Sequence, residues 1–222
     1  MLSLKSFINS KSIFIFDFDG VLVDSVEVKT EAFAALYEKY GTIIVDKVIQ
    51  HHRLNGGMSR YEKFKHYHQK FLGEKITEDQ IIILDKIFSN LVVNKVVNAP
   101  EIDGVTVFLN KLHGDKKCFV NSATPTAEIK KIVQLREWGG YFTKIYGSPN
   151  SKIKNLNNIL YYEKNKSIDD CVFFGDAESD FNAATYLGMD FVLLVTASQT
   201  PQLTKKVKYH ISNFKLLMEK IN

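Results

Sequence analysis

The sequence predicts an α/β fold, a doubly wound and mostly parallel sheet of Rossmann-like type with an inserted α-helical domain. Two observations carry that reading. Short apolar runs recur along the chain with helical stretches between most of them, the pattern of strands buried on both faces of a parallel sheet. One long segment, residues 24–98, breaks the alternation with helical patterns and no convincing strand. The 222 residues, 45% hydrophobic and 24% charged, suit an ordinary globular chain with a sizeable core. The expected division is a core of residues 1–23 and 99–222 and an inserted helical domain of 24–98.

The first strand is read within Ser12–Phe16, where Ile13-Phe14-Ile15-Phe16 is fully apolar. It delivers Asp17-Phe18-Asp19-Gly20-Val21-Leu22-Val23-Asp24-Ser25. Strand side chains alternate faces, so Asp17 and Asp19 can lean toward one crevice, and Gly20 lets the chain turn sharply after them. Two such charges repel unless a cation lies between them. An Asp-Gly pair after an apolar strand is also the composition of a plain turn.

Within the insert, Glu27–Tyr40 carries Val28, Ala32, Phe33, Leu36 and Tyr40 on one side and stops before Gly41. His51, His52 and Arg53 precede Asn55-Gly56-Gly57-Met58-Ser59-Arg60-Tyr61-Glu62-Lys63. Paired glycines before a basic helix start let Arg53, Arg60 or Lys63 reach an anionic ligand; a solvated helix face is the plainer alternative, and the one favoured for His66 and His68. Thr77-Glu78-Asp79-Gln80 forms a capping box for a helix whose apolar positions are Ile81, Leu84, Ile87, Phe88 and Leu91. Ala99–Gly104 reads as a linker and Val105–Leu112 as a helix returning to the core.

Further strands are expected at Lys117–Asn121, Lys144–Tyr146, Cys171–Phe174 and Phe191–Val195. Doubly wound sheets bind ligands beyond the carboxyl ends of their strands, and Asp17, Ser122 and Asp176 all fall there. After Ser122, Thr124-Pro125 supplies an N-cap and a first-turn proline. A phosphate at that helix start meets backbone N–H groups and the Ser122 hydroxyl. In Phe173-Phe174-Gly175-Asp176-Ala177-Glu178-Ser179-Asp180 two carboxylates stand four residues apart, a spacing one turn of chain can bring to a single magnesium ion. Trp138, before Gly139-Gly140, reads as a core anchor.

Together these segments resemble the haloacid dehalogenase superfamily, whose first motif is Asp-x-Asp-Gly and whose fourth is Gly-Asp-x-x-x-Asp. The position of the insert resembles the phosphoglycolate phosphatase and β-phosphoglucomutase-like branch. The resemblance implies a magnesium-dependent phosphatase for a small phosphorylated metabolite. In it Asp17 is the nucleophile that forms an aspartyl-phosphate, and Asp19 protonates the leaving oxygen and later activates water. It implies Mg2+ held by Asp17, the Asp19 main-chain carbonyl, Asp176 and Asp180, with Glu178 a lower-ranked substitute. Substrate binding falls to Gly20, Ser122, Ala123 and Arg60. The motif lysine is Lys152 or Lys154. At ~100° per residue, Lys152 borders the apolar face of Ile153, Leu156, Ile159 and Leu160 while Lys154 points away, which selects Lys152. A phosphomutase of the β-phosphoglucomutase kind is the nearest rival and a non-catalytic phosphometabolite-binding protein a more distant one. Dehalogenase and phosphonate chemistry are disfavoured by Asp19.

The net charge is +4, with basic residues spread along the chain, which argues against a nucleic-acid partner. Cys118 and Cys171 sit in apolar strands as structural thiols. No secretory signal is read at the N-terminus and no apolar run reaches the ~20 residues of a membrane span, so a cytoplasmic protein, monomer or homodimer, without membrane partners is expected.

Overall fold

The computed structural model describes residues 3–164, 166–195 and 201–221. In chain order it contains α1 (Leu4–Ser10), β1 (Ile13–Phe16), α2 (Val26–Tyr37), α3 (Thr42–Leu54), α4 (Arg60–His66), α5 (Glu78–Asn98) and α6 (Val105–Leu112). These are followed by β2 (Lys117–Pro125), α7 (Thr126–Leu135), β3 (Lys144–Ser148), α8 (Lys152–Tyr162), β4 (Cys171–Gly175) and α9 (Glu178–Leu187). The chain then forms β5 (Asp190–Leu194), α10 (Pro201–Lys206), β6 (Tyr209–Ile211) and α11 (Phe214–Ile221).

The six strands pair in parallel in the order β3-β2-β1-β4-β5-β6. Winding reverses at β1, which opens a crevice at the carboxyl ends of β1, β2 and β4. The all-apolar β1 takes the centre because both of its faces are covered. Phe14 and Phe16 join one cluster with Phe108 of α6 and Phe214 of α11, while Ile13 and Ile15 join another with Leu156 and Ile159 of α8 and Ala183 of α9. Phe16 stacks on Phe174 across the sheet with ring centroids 5.1 Å apart.

The segment between β1 and α6 is helical, as its patterning requires. Its core is aromatic: Phe33 of α2 lies 4.5 Å from Phe88 of α5, centroid to centroid. Capping boxes start α4 at Ser59 and α5 at Thr77. On α5 the buried stripe is Ile81, Phe88, Val92 and Val96, whereas Ile87 and Leu91, expected among the apolar positions, are 43% and 37% exposed. Three other details differ from the sequence reading. The second strand runs on to Pro125, so Thr124 is no helix cap; and α1 and β6, each short, carry too little periodicity to stand out. Cys118 and Cys171 are free and buried. Among the described residues no helix is long and apolar enough to cross a membrane.

Candidate active site

Asp17 follows β1, Asp176 follows β4, and Asp180 lies in the first turn of α9. Because β1 and β4 are paired with Phe16 opposite Phe174, the residues just beyond both ends are held side by side. The Asp17 N–H donates to the Phe174 carbonyl at 2.9 Å. One carboxylate oxygen each from Asp17, Asp176 and Asp180 lies within 4.8 Å of the others. Lys152, the first residue of α8, reaches in and donates to Asp17 Oδ2 at 2.6 Å and to Asp180 Oδ1. Asp17 Oδ1 accepts from the Phe18 N–H at 2.6 Å. Lys154, two positions along the same turn, is exposed.

The charges of this cluster do not balance. Burial opposes the Lys152 ammonium, yet the Asp17 and Asp180 charges and their hydrogen bonds hold its pKa above the ordinary lysine value. Asp176 is pushed well above the usual carboxylate range by burial and then by Asp17 and Asp180. Burial also lifts Asp180 to about 7, although the Lys152 charge works the other way. Three carboxylates crowd one ammonium, and an all-oxygen donor set short of positive charge suits a hard divalent cation such as Mg2+. Gly20 makes the crowding sterically feasible. Its φ is +76°, and a Cβ there would stand 2.5 Å from Asp176 Oδ2.

Asp19 has a separate set of partners. Its Oδ1 accepts from the Ser25 hydroxyl at 2.6 Å, and its Oδ2 from the Thr124 hydroxyl at 3.1 Å and from Lys29 Nζ. Burial would raise its pKa, but the Lys29 charge and these hydrogen bonds outweigh burial and leave it lowered.

Comparison with known proteins gives this constellation its place. The sequence model of the haloacid dehalogenase-like hydrolases matches residues 14–194. The chain belongs to that family. It is therefore an enzyme of hydrolase type, and the four acidic residues stand within the matched region. No curated protein matches it in sequence. Solved structures do match in shape. A haloacid dehalogenase-like hydrolase from Streptococcus pneumoniae shares 17% identity over 96% of this chain and 100% of its own, with a TM-score of 0.73. A predicted phosphoglycolate phosphatase from Haemophilus somnus shares 16% over 96% and 99%, at 0.75. A β-phosphoglucomutase from Clostridium difficile shares 20% over 96% and 97%, at 0.74. At these identities the likeness concerns the fold alone.

In this haloacid dehalogenase-like hydrolase a cavity of about 260 Å³ separates the sheet edge from the helices. Asp17, Asp19, Ala123 and Asp176 line one wall, and Lys29, Phe33, His52 and Lys63 line the other. Ser122 is buried and its hydroxyl accepts from the Thr124 N–H at 3.1 Å. It lines a neighbouring cavity of about 470 Å³ together with Ala123 and Lys152. The loop at Gly57 lies against the start of α9, where any Cβ would overlap the Ser179 hydroxyl.

Arg60 departs from its expected use. It borders the cavity, but its guanidinium donates to Asp85 at 3.1 Å, to Ser89 at 2.9 Å and twice to Glu128 of α7. Its face also packs on the Phe88 ring, 4.5 Å from the centroid. A guanidinium so engaged ties the helical segment to the sheet domain and has little left for a substrate. Trp138 is the anchor expected, 6% exposed and 6.3 Å from the Phe18 ring. Sequence reasoning missed Ser25, Lys29 and Thr124. Ser25 and Lys29 are one helical turn apart directly after the acidic motif, a spacing that puts both on one side and was the available signal.

Proposed function

We propose that this chain is a magnesium-dependent phosphatase that hydrolyses a small phosphomonoester through an aspartyl-phosphate on Asp17. The observation that carries the reading is the Asp17 carboxylate on the cavity wall, pinned by Lys152 and the Phe18 N–H beside the carboxylates of Asp176 and Asp180. A nucleophile fixed in this way loses little orientational freedom on attack. The carboxylate oxygen bonds to phosphorus as the ester P–O bond breaks, and the departing alkoxide takes a proton from the Asp19 carboxyl. Water then attacks phosphorus, Asp19 removes its proton, and inorganic phosphate and free Asp17 are released.

Asp19 is suited to the second half as it stands, since Lys29 keeps it ionised. For the first half it needs a proton, and an incoming phosphate ester that draws Lys29 toward its own anionic oxygens favours that protonation. Asp17, Asp176, Asp180 and the Asp19 carbonyl would hold Mg2+, with Gly20, Ser122 and the Ala123 backbone next to the phosphoryl oxygens. When bound, the cation offsets the carboxylates and polarises the phosphoryl group.

The test is hydrolysis of p-nitrophenyl phosphate in Mg2+, repeated in EDTA and with Asp17→Asn. Both changes are expected to remove turnover, by on the order of 10⁴-fold or more for the variant, with its melting temperature retained. Equal rates in all three assays overturn the mechanism. An isomeric sugar phosphate appearing from a sugar 1-phosphate, in place of free phosphate, marks a mutase instead.

A further inference from the structure

Lys63 stands on the helical wall of the cavity, 1% exposed. Among the described residues its hydrogen-bond partner is Nδ1 of His52, at 2.7 Å, and the Phe33 ring centroid lies 5.3 Å from Nζ. His52 is neutral, its pKa driven to about 2 by burial and then by the Lys63 charge. An ammonium can only donate, so Nδ1 is the acceptor in this contact. A neutral imidazole orients an ammonium without compensating its charge, and a lysine has three N–H donors of which this contact uses one.

The wider surroundings do not supply the missing charge. Burial and the Lys29 ammonium, with Lys152 beyond it, depress the Lys63 pKa to about 7 against the attraction of Asp19 and Glu62. Three residues earlier on α4, Arg60 is met by Asp85 and Glu128. Among the described residues no carboxylate forms an ion pair with Lys63. Buried charges are ordinarily paired, and what the protein leaves unpaired beside a cavity is available to a ligand.

Phosphorus must sit at Asp17, on the sheet wall, so the part of an ester that reaches the helical wall is its alcohol. We infer that Lys63, oriented by His52, is a specificity-determining residue that binds a second anionic group on the leaving-group side. The preferred substrate is then a small phosphomonoester whose alcohol bears a carboxylate or a second phosphate. This rests on the phosphatase reading and narrows it.

The test compares kcat/KM in Mg2+ for ethyl phosphate, phosphoglycolate and ethylene glycol bisphosphate, which share a two-carbon alcohol and differ in its far end. One of the two charged-tail esters is expected to exceed ethyl phosphate by about 10- to 100-fold, the usual range for a charge-assisted contact. Whichever does so identifies the group. The ratio should fall to within about threefold of unity in Lys63→Met and Lys63→Gln, and it cancels any change common to all three esters. Wild-type enzyme that turns over p-nitrophenyl phosphate with no charged-tail preference overturns this inference alone, as does a preference that survives both substitutions. No turnover of any ester overturns the phosphatase reading and this inference with it.

Discussion

Lys152 and Lys63 are both buried ammonium groups at the candidate active site, and their surroundings treat them in opposite ways. Lys152, on the sheet side, lies between Asp17 and Asp180, and despite burial these carboxylates hold its pKa above the ordinary lysine value. Lys63, on the helical side, has a neutral imidazole and an aromatic ring, and its pKa falls to about 7. The sheet side surrounds its ammonium with an excess of carboxylates. The helical side leaves one ammonium without a carboxylate, and under the proposed function that difference separates machinery common to any phosphate ester from a feature reserved for particular ones.

The largest expected effect comes from removing the compensated cation. Lys152→Met leaves Asp17, Asp176 and Asp180 crowded with no ammonium among them. Turnover should fall by on the order of 10³-fold or more, as for other groups that act as a unit with the nucleophile. Urea unfolding without metal should show a loss of about 3 kcal/mol, the cost of breaking a buried pair by deleting one partner. Mg2+ should restore part of that loss, because a ligand that binds only the folded form stabilises it. Unchanged stability in the variant would mean that Lys152 does not balance the cluster.

Arg60 is the fully answered cation of the helical side and tests the other half of the contrast. Arg60→Ala strands Glu128 in the contact between α4, α5 and α7, at an expected cost of about 2–3 kcal/mol. The double variant Arg60→Ala/Glu128→Ala should cost less than the sum of its singles, since neither partner is then left buried alone. Additive losses would show that the two side chains do not act as a pair, and the anchoring role would fall with them.

What the sequence disclosed follows the same division. The strands, the acidic residues at their ends and the choice of Lys152 over Lys154 rest on local periodicity, which one stretch of chain contains in full. The exposure of Ile87 and Leu91 was not legible, because apolar content reveals which residues are able to be buried and not how wide a face the neighbouring helices cover. The partners of Arg60 were hidden for a different reason: Glu128 lies 68 residues away, on an element whose approach depends on how the helical segment folds back. Thr124 reaches Asp19 by the same long-range route, 105 residues along the chain, whereas Lys29 reaches it from only 10 residues away. Charge compensation between distant elements is a property of the tertiary fold, and it decided which of the candidate cations of the helical segment remained uncommitted.

The change expected to be smallest at neutral pH is the most specific to Lys63. Its folded-state pKa of about 7 lies below the 10.5 of an unperturbed lysine, so between those values the unfolded chain holds a proton that the folded chain has released. Stability supported by this group therefore rises with pH from about 7 to about 10.5, by at most about 1.4 kcal/mol per pH unit, and is flat below 7 where both states are charged. The groups around it are His52, Lys29, Asp19, Lys152 and Glu62. All of them remain in Lys63→Met, so subtracting the variant's unfolding free energy from that of the wild type isolates Lys63. That difference should climb from pH 7 to pH 9. At pH 7 the variant should lose little, because the charge removed was a costly one, although His52 Nδ1 then lacks its donor and offsets part of the gain. A flat difference across this range would mean that Lys63 finds its counter-charge within the protein, and the contrast with Lys152 would vanish.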